Sequence, residues 1–195
     1  MSELTGWHFS TGRLGYGDNR PIVMGETHTV DVTERKLELC EWGLHASERI
    51  IDALRYASGP MVCRVRLHGE ILRGDDKACA THRTYIDGID ATGILREFAR
   101  KCALDVIHLW DAPDVVRRYL ETGDELLRAA SSAAALDASS AASWAASWAA
   151  SSAASWDTAW DTARAAAWDT AWGQQNTRLT DMVQAAIAKA KGESA

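Results

Sequence analysis

Six histidines and four cysteines are the side chains of this 195-residue sequence with the most chemistry to offer. Their spacing narrows what that chemistry is. Structural zinc sites draw Cys and His ligands from closely spaced pairs. Cys40, Cys63, Cys79 and Cys102 are scattered without a CxxC pair, and Cys40 and His45 with His28 do not fall into a ligand spacing, so no metal site is predicted and the cysteines read as thiols. No Ser-His-Asp or Cys-His set for nucleophilic catalysis can be assembled. Gly12, Gly15 and Gly17 lack the strand–GxGxxG–helix setting that makes a dinucleotide fingerprint. Arg64, Arg66 and His68 alternate along one strand face, which reads as a solvated or Glu-paired surface rather than an anion site. The most suggestive run is Cys40-Glu41-Trp42-Gly43-Leu44-His45-Ala46-Ser47. A His at the end of a strand is, taken alone, a hydrogen-bonded structural residue.

The elements that position this run are short strands and one helix. Trp7-His8-Phe9 reads as a first strand, Thr27 to Val32 as a second, and Leu37 to His45 contains a third. Ser47 is a good N-cap for a helix over Ser47 to Ala57, which Ser58-Gly59-Pro60 ends. Met61 to Leu67 alternates clearly, with Cys63, Val65 and Leu67 facing one way and Arg64, Arg66 and His68 the other. A further strand is predicted over Ala78 to Ile86. After Asp87-Gly88 the pattern turns helical: Ile94, Leu95, Phe98, Ala99 and Cys102 share a face, Pro113 suits the first turn of the next helix, Gly123 stops it, and Asp124 caps the one after.

A strand ending in Gly-Leu-His-Ala-Ser, then a helix closing in Tyr56-Ala57, then the strand Val62 to Leu67, resembles the middle of ADP-ribosyltransferase-like domains over about residues 5 to 70. The resemblance implies a nicotinamide pocket and NAD as its cofactor. It gives His8 the first-strand role, His45 the stacking role, Gly43 a place on the same strand and Ser47 the polar position beside it. It also calls for a catalytic Glu on a late strand. Glu70, directly after the Met61 strand, comes too early for that role, so the implied domain is an NAD-binding or NAD-consuming one that is catalytically inactive if no other Glu serves. The same segment, with Lys77 after a Gly69-Glu70 turn, is also similar to an uncharacterised domain of bacteriophage and bacterial proteins. Those proteins carry Ala/Trp-rich tails after a stretch like Tyr119 to Asp124. This second resemblance spans nearly the whole chain and implies a phage-type accessory protein.

From Arg128 to Gln175 the sequence is twelve four-residue units of Ala, Ser and Trp. Ala is the best helix former, and neither Gly nor Pro interrupts Arg128 to Trp172. Four residues overshoot one helical turn by ~40°, so the pairs Trp144/Trp148, Trp156/Trp160 and Trp168/Trp172, twelve residues apart, rotate by ~120° from one to the next. No single stripe covers all three. The tail therefore reads as a self-association or partner-binding element, with these six Trp as interface; a break near Leu136-Asp137, a right-handed supercoil and a tolerated repeat expansion are the alternatives. Beyond Gly173 a last amphipathic helix is predicted, with Leu179, Met182, Val183, Ala186 and Ile187 inward and Gly192 as its stop.

Net charge is −6, with no basic cluster, which argues against nucleic acid as the main partner. No secretory leader and no run of the ~20 apolar residues of a membrane span are seen, so a cytoplasmic location is expected. The chain is thus read as α+β: a head with a small mixed or antiparallel sheet and one helix over 1–90, a helical connector over 91–127, the repeat helix over 128–175, and a C-terminal helix over 176–195. The functional expectation is an intracellular phage-type accessory protein that binds and associates through the Ala/Trp helix, with itself or a host protein and without a cofactor. The alternative is an ADP-ribosyltransferase-like head that binds NAD.

Overall fold

The computed structural model of the chain describes residues 3–15, 19–105, 107–109, 111–132 and 157–192, with the backbone alone for 109 and 157–170. The fold is α+β. Among the described residues five strands form one antiparallel sheet: β1 (Leu4–Ser10), β2 (Thr27–Thr29), β3 (Leu44–Ala46), β4 (Met61–Arg73) and β5 (Ala78–Asp90). The long β4–β5 hairpin is its spine. β1 lies along β4, while β2 and β3 take successive parts of the free edge of β5. Ser47, just past β3, then exchanges backbone hydrogen bonds with Trp7 of β1 at 2.7 and 3.0 Å. That bridge joins the two outer edges and closes the sheet on itself. Gly6 is required there, because a Cβ at position 6 would stand 2.7 Å from the Ser47 carbonyl oxygen.

The alternation in Met61 to Leu67 is observed, and Cys63, Val65 and Leu67 are fully buried. The strand runs six residues further because a bulge between His68 and Ile71 absorbs Gly69 and Glu70; the predicted turn lies instead at Gly74, whose amide donates to the Lys77 carbonyl at 2.8 Å. β5 likewise continues through Gly88 to Asp90. Across the strands, Leu4, Val65, Leu67, Ala80 and Tyr85 pack into one apolar cluster with Leu14 and Ala46. Trp7, Phe9 and Val62 point to the other face, by the period of two. α1 (Ile50–Leu54) packs against β1. The helix is shorter than predicted and Ser47 does not cap it. Arg49 stands at its N-cap without a side-chain bond, since Ser47 is committed to the sheet.

Two compact units divide the chain: residues 1–95 with 174–195, and residues 96–173. The C-terminal segment is thus grouped with the head. It lies on the last helix, which runs unbroken from Asp157 to Lys191 (called α4 below) and passes through Gly173. A mid-helix Gly costs about 1 kcal/mol relative to Ala, less than its Ala-rich flanks supply. Asn176 accepts the Ile51 amide at 3.3 Å and Lys191 pairs with Asp87 at 2.6 Å. Between these ties Leu179 and Val183 are fully buried, with Met182 and Ile187 half-buried.

The second unit contains most of α2 (Thr92–Asp105) and α3 (Asp114–Thr122). Pro113 precedes α3, and Gly123 caps it in the left-handed region at φ 68°. The Arg100 guanidinium fills the space a Cβ of residue 123 would need and donates to the Leu120 carbonyl at 3.2 Å. Asp124 caps the helical stretch 125–132 by accepting the Leu126 amide at 2.9 Å. Trp144, Trp148 and Trp156 lie outside the described residues. Trp160 and Trp168 lie on α4, whose side chains are described only from residue 171, and Trp172 is half-buried.

Candidate functional site

Closure of the sheet leaves a cavity of about 710 Å³ in the head, within the usual range for a small-molecule site. His8, Gly43, His45 and Ser47 all line it. Strand alternation explains why. His8 is opposite Cys63, and so shares the buried face of Cys63, Val65 and Leu67. β3 brings His45 opposite Cys79 on β5, and the Trp7–Ser47 bridge draws that strand end beside β1.

The two imidazoles differ in what holds them. His45 accepts the Cys40 amide on Nε2 at 3.0 Å, and a hydrogen bond to the Gly43 backbone engages it as well. Its ring thus pins the loop that enters β3, and offers a ligand its face. The loop has two unusual backbone conformations, Cys40 at φ 71° and Gly43 at φ 137°. A Cβ at position 43 would meet the Cys79 side chain at 2.9 Å, so only glycine fits. Burial, then the charges of Lys77 and Arg83, hold His45 below the ordinary His value. His8 sits well below it, through burial first and then Arg83 and His45. His8 is nevertheless half-exposed, and it lines the cavity. Both rings are therefore neutral near pH 7.

Sequence reasoning missed Arg83. It is 4 % exposed, lies on the middle of β5 and lines the cavity. Its Nη1 donates to the His45 carbonyl at 2.7 Å and stands 3.4 Å from His8 Nδ1; its Nη2 donates to the Tyr85 hydroxyl at 2.6 Å. The guanidinium carbon is 5.0 Å from the centre of the Tyr85 ring, and the rings of His8 and His28 meet Tyr85 edge-on. The signal in the sequence was the alternation Thr81, Arg83, Tyr85, which places a cation in line with buried positions.

At the mouth, Arg13 and Arg20 are exposed and Lys77 is half-exposed, its ammonium 3.9 Å from the Tyr56 ring centre. Trp42 supplies an apolar wall, with its indole N–H bonded to the Asp31 carbonyl at 2.9 Å. Among the described residues that line the cavity, Asp31 is the one carboxylate. Its Oδ1 takes both the amide and the hydroxyl of Thr33, at 2.8 and 2.7 Å, and these bonds lower its pKa. Glu70 is on the bulge of β4, exposed, and does not line the cavity. The Arg64–Arg66 face is accounted for without a ligand: Arg64 stacks over Trp7 at 4.7 Å, and Arg66 lies 3.9 Å from Glu3.

Among the described residues no cluster of His, Cys, Asp and Glu could hold a metal ion, and no helix is long and apolar enough to cross a membrane. No curated protein and no solved structure matches the chain. Residues 23–97 match a domain of unknown function, DUF7666. That segment carries β2 to β5, and with them His28, His45, Ser47, Lys77 and Arg83, while the β1 wall with His8 lies outside it.

Proposed function

We propose that the head is a binding module for an anionic small molecule, a nucleotide such as NAD being the form the cavity suits best. One observation carries this reading: among the described residues that line the cavity, four are cations, Arg13, Arg20, Lys77 and Arg83, and one is a carboxylate, in a chain whose net charge is −6. Against that background a local positive field selects anions and draws them in. The aromatic walls of Trp42 and Tyr56 add a surface for a planar ring. The lining suits binding better than transfer. ADP-ribosyl transfer calls for a carboxylate beside the ribose, and Asp31 is held by Thr33.

The test is thermal unfolding of the full chain with NAD, ADP and adenosine at millimolar concentration. A ligand that binds the folded state alone raises the midpoint by mass action. The two phosphate-bearing ligands should raise it and adenosine should not, and Arg20→Glu with Lys77→Glu should remove the shift. No nicotinamide should be released from NAD. An unchanged midpoint with both nucleotides removes the reading. The association proposed for the Ala/Trp segment, in an accessory protein of phage type, is supported by the unbroken helix that carries Trp160, Trp168 and Trp172. Light scattering tests it: a multiple of 21.3 kDa is expected, and a monomer mass ends the idea.

A further inference from the structure

The cavity has two electrostatically different ends. Arg13, Arg20 and Lys77 stand at the mouth, where water and salt screen them. Arg83 is enclosed at 4 % exposure, and a charge removed from water acts through a lower effective dielectric. Its orientation is set by the His45 carbonyl at 2.7 Å and the Tyr85 hydroxyl at 2.6 Å. A guanidinium so fixed is a charged donor from which an oxygen of a carboxylate or phosphate can accept.

Two further donors stand nearby. Nη1 of Arg83 lies 3.4 Å from His8 Nδ1. A guanidinium can only donate, so Nδ1 is the acceptor and the proton of the neutral ring sits on Nε2. The ring is half-exposed and lines the cavity. Ser10, two residues along the same face of β1, is 1 % exposed and also lines it. Its Oγ accepts the Gly12 amide at 3.2 Å, which leaves the hydroxyl proton to be donated.

We propose that Arg83, His8 and Ser10 form an oxyanion pocket at the closed end of the cavity, which takes a terminal carboxylate or phosphate group of the ligand. This rests on the anion-binding reading of the head and adds where the anion goes. Cations at the mouth then serve capture, and Arg83 serves recognition. A consequence follows for His8. The groups that face it are Arg83 and Tyr85 from β5, His45 from β3 and Cys63 from β4. Burial pushes the Tyr85 phenol up to about 12 and the Cys63 thiol up to about 11, so both are neutral and Arg83 is the charge that His8 senses. An anion bound on Arg83 offsets that charge, and His8 takes up a proton more readily.

The experiment is a histidine ring NMR titration of the full chain, with His8 assigned through His8→Gln. It is run in chloride, in inorganic phosphate and in formate at matched ionic strength. The His8 midpoint should rise in phosphate, in formate or in both, and which of the two acts identifies the oxyanion. Ser10→Ala should weaken the response, and Arg83→Gln should remove it. A His8 midpoint that stays in place in both anions overturns the pocket, and needs no variant to fold. If nucleotides stabilise the chain while His8 does not respond, this inference falls and the reading of the head stands. If neither occurs, both fall.

Discussion

The two faces of the β4–β5 hairpin are built from the same strands and have opposite characters. One face carries Trp7, Phe9 and Val62, all at 2 % exposure or less, with Arg64 stacked over Trp7. The other carries Cys63, Val65 and Leu67, equally buried, but admits Arg83, His8 and His28 among them. A period of two allows this, because each strand commits alternate residues to separate environments. The first face buries apolar side chains and leaves its cation at the surface of the stack. The second encloses a cation whose terminal nitrogens meet a carbonyl, a phenol and an imidazole. Two residues of one strand can thus bury opposite chemistry a single position apart.

The sharpest way to test that contrast is to remove apolar burial from the head. Leu179→Ala removes a fully buried side chain and should cost about 2–5 kcal/mol, as such truncations do. Ending the chain at Gly173 removes Val183 and the Asn176 and Lys191 ties as well, and should leave the head without a cooperative unfolding transition. Denaturant unfolding checks both. A head that unfolds normally without residues 174–192 would show that its stability does not rest on the last helix.

On the cavity face the expected effect is smaller and depends on pH. His8 and His45 have folded-state pKa values below that of an exposed His. The unfolded chain therefore binds more protons below about pH 6.5. Stability is full above that pH and falls as the pH drops toward the folded values, by at most ~1.4 kcal/mol per unit for each ring. Denaturation midpoints measured between pH 8 and pH 5 should decline, and His8→Gln should flatten the slope. A slope that His8→Gln leaves unchanged would mean that the ring is not the proton-sensitive element of this face. The smallest effect belongs to Ser47→Ala. Ser47 bonds to β1 through its backbone, so the variant should stay within ~1 kcal/mol of the parent. A large loss would give the hydroxyl a role in closing the sheet.

Much of the head could be read before its coordinates, and the reasons are local. Cys63, Val65 and Leu67 alternate with Arg64 and Arg66, so the faces of that strand were legible, with Val62 as the buried exception. Its extension to Arg73 was not, because the bulge at Gly69 and Glu70 breaks the parity on which that reading depends. The four residues Gly43, His45, Ser47 and His8 line one cavity, yet Ser47 reached it by pairing with Trp7 and not by capping a helix. Local propensity favoured the cap, and a long-range hydrogen-bond pair outweighed it. Arg83 could not be placed inside from composition, since a strand Arg is ordinarily on the solvent side. The alternation Thr81, Arg83, Tyr85 put it in line with buried positions, and the register of β5 against β4 and β2 fixes that line as the inner one. The sequence reads the last helix as a separate one beyond Gly173, but nothing lies within reach of that glycine to break the helix, and it continues.

The head is discontinuous in the chain: its last contribution, the helix segment beyond Gln174, follows the whole of residues 96–173. On the ribosome this sets an order of events. The sheet emerges first, without the last helix and its buried Leu179 and Val183. At roughly 5–20 residues per second, the intervening segment delays that helix by about 4–16 s. For that interval the nascent protein carries an incomplete head together with its Ala/Trp segment, and is at its most exposed to chaperones, proteases and neighbouring chains.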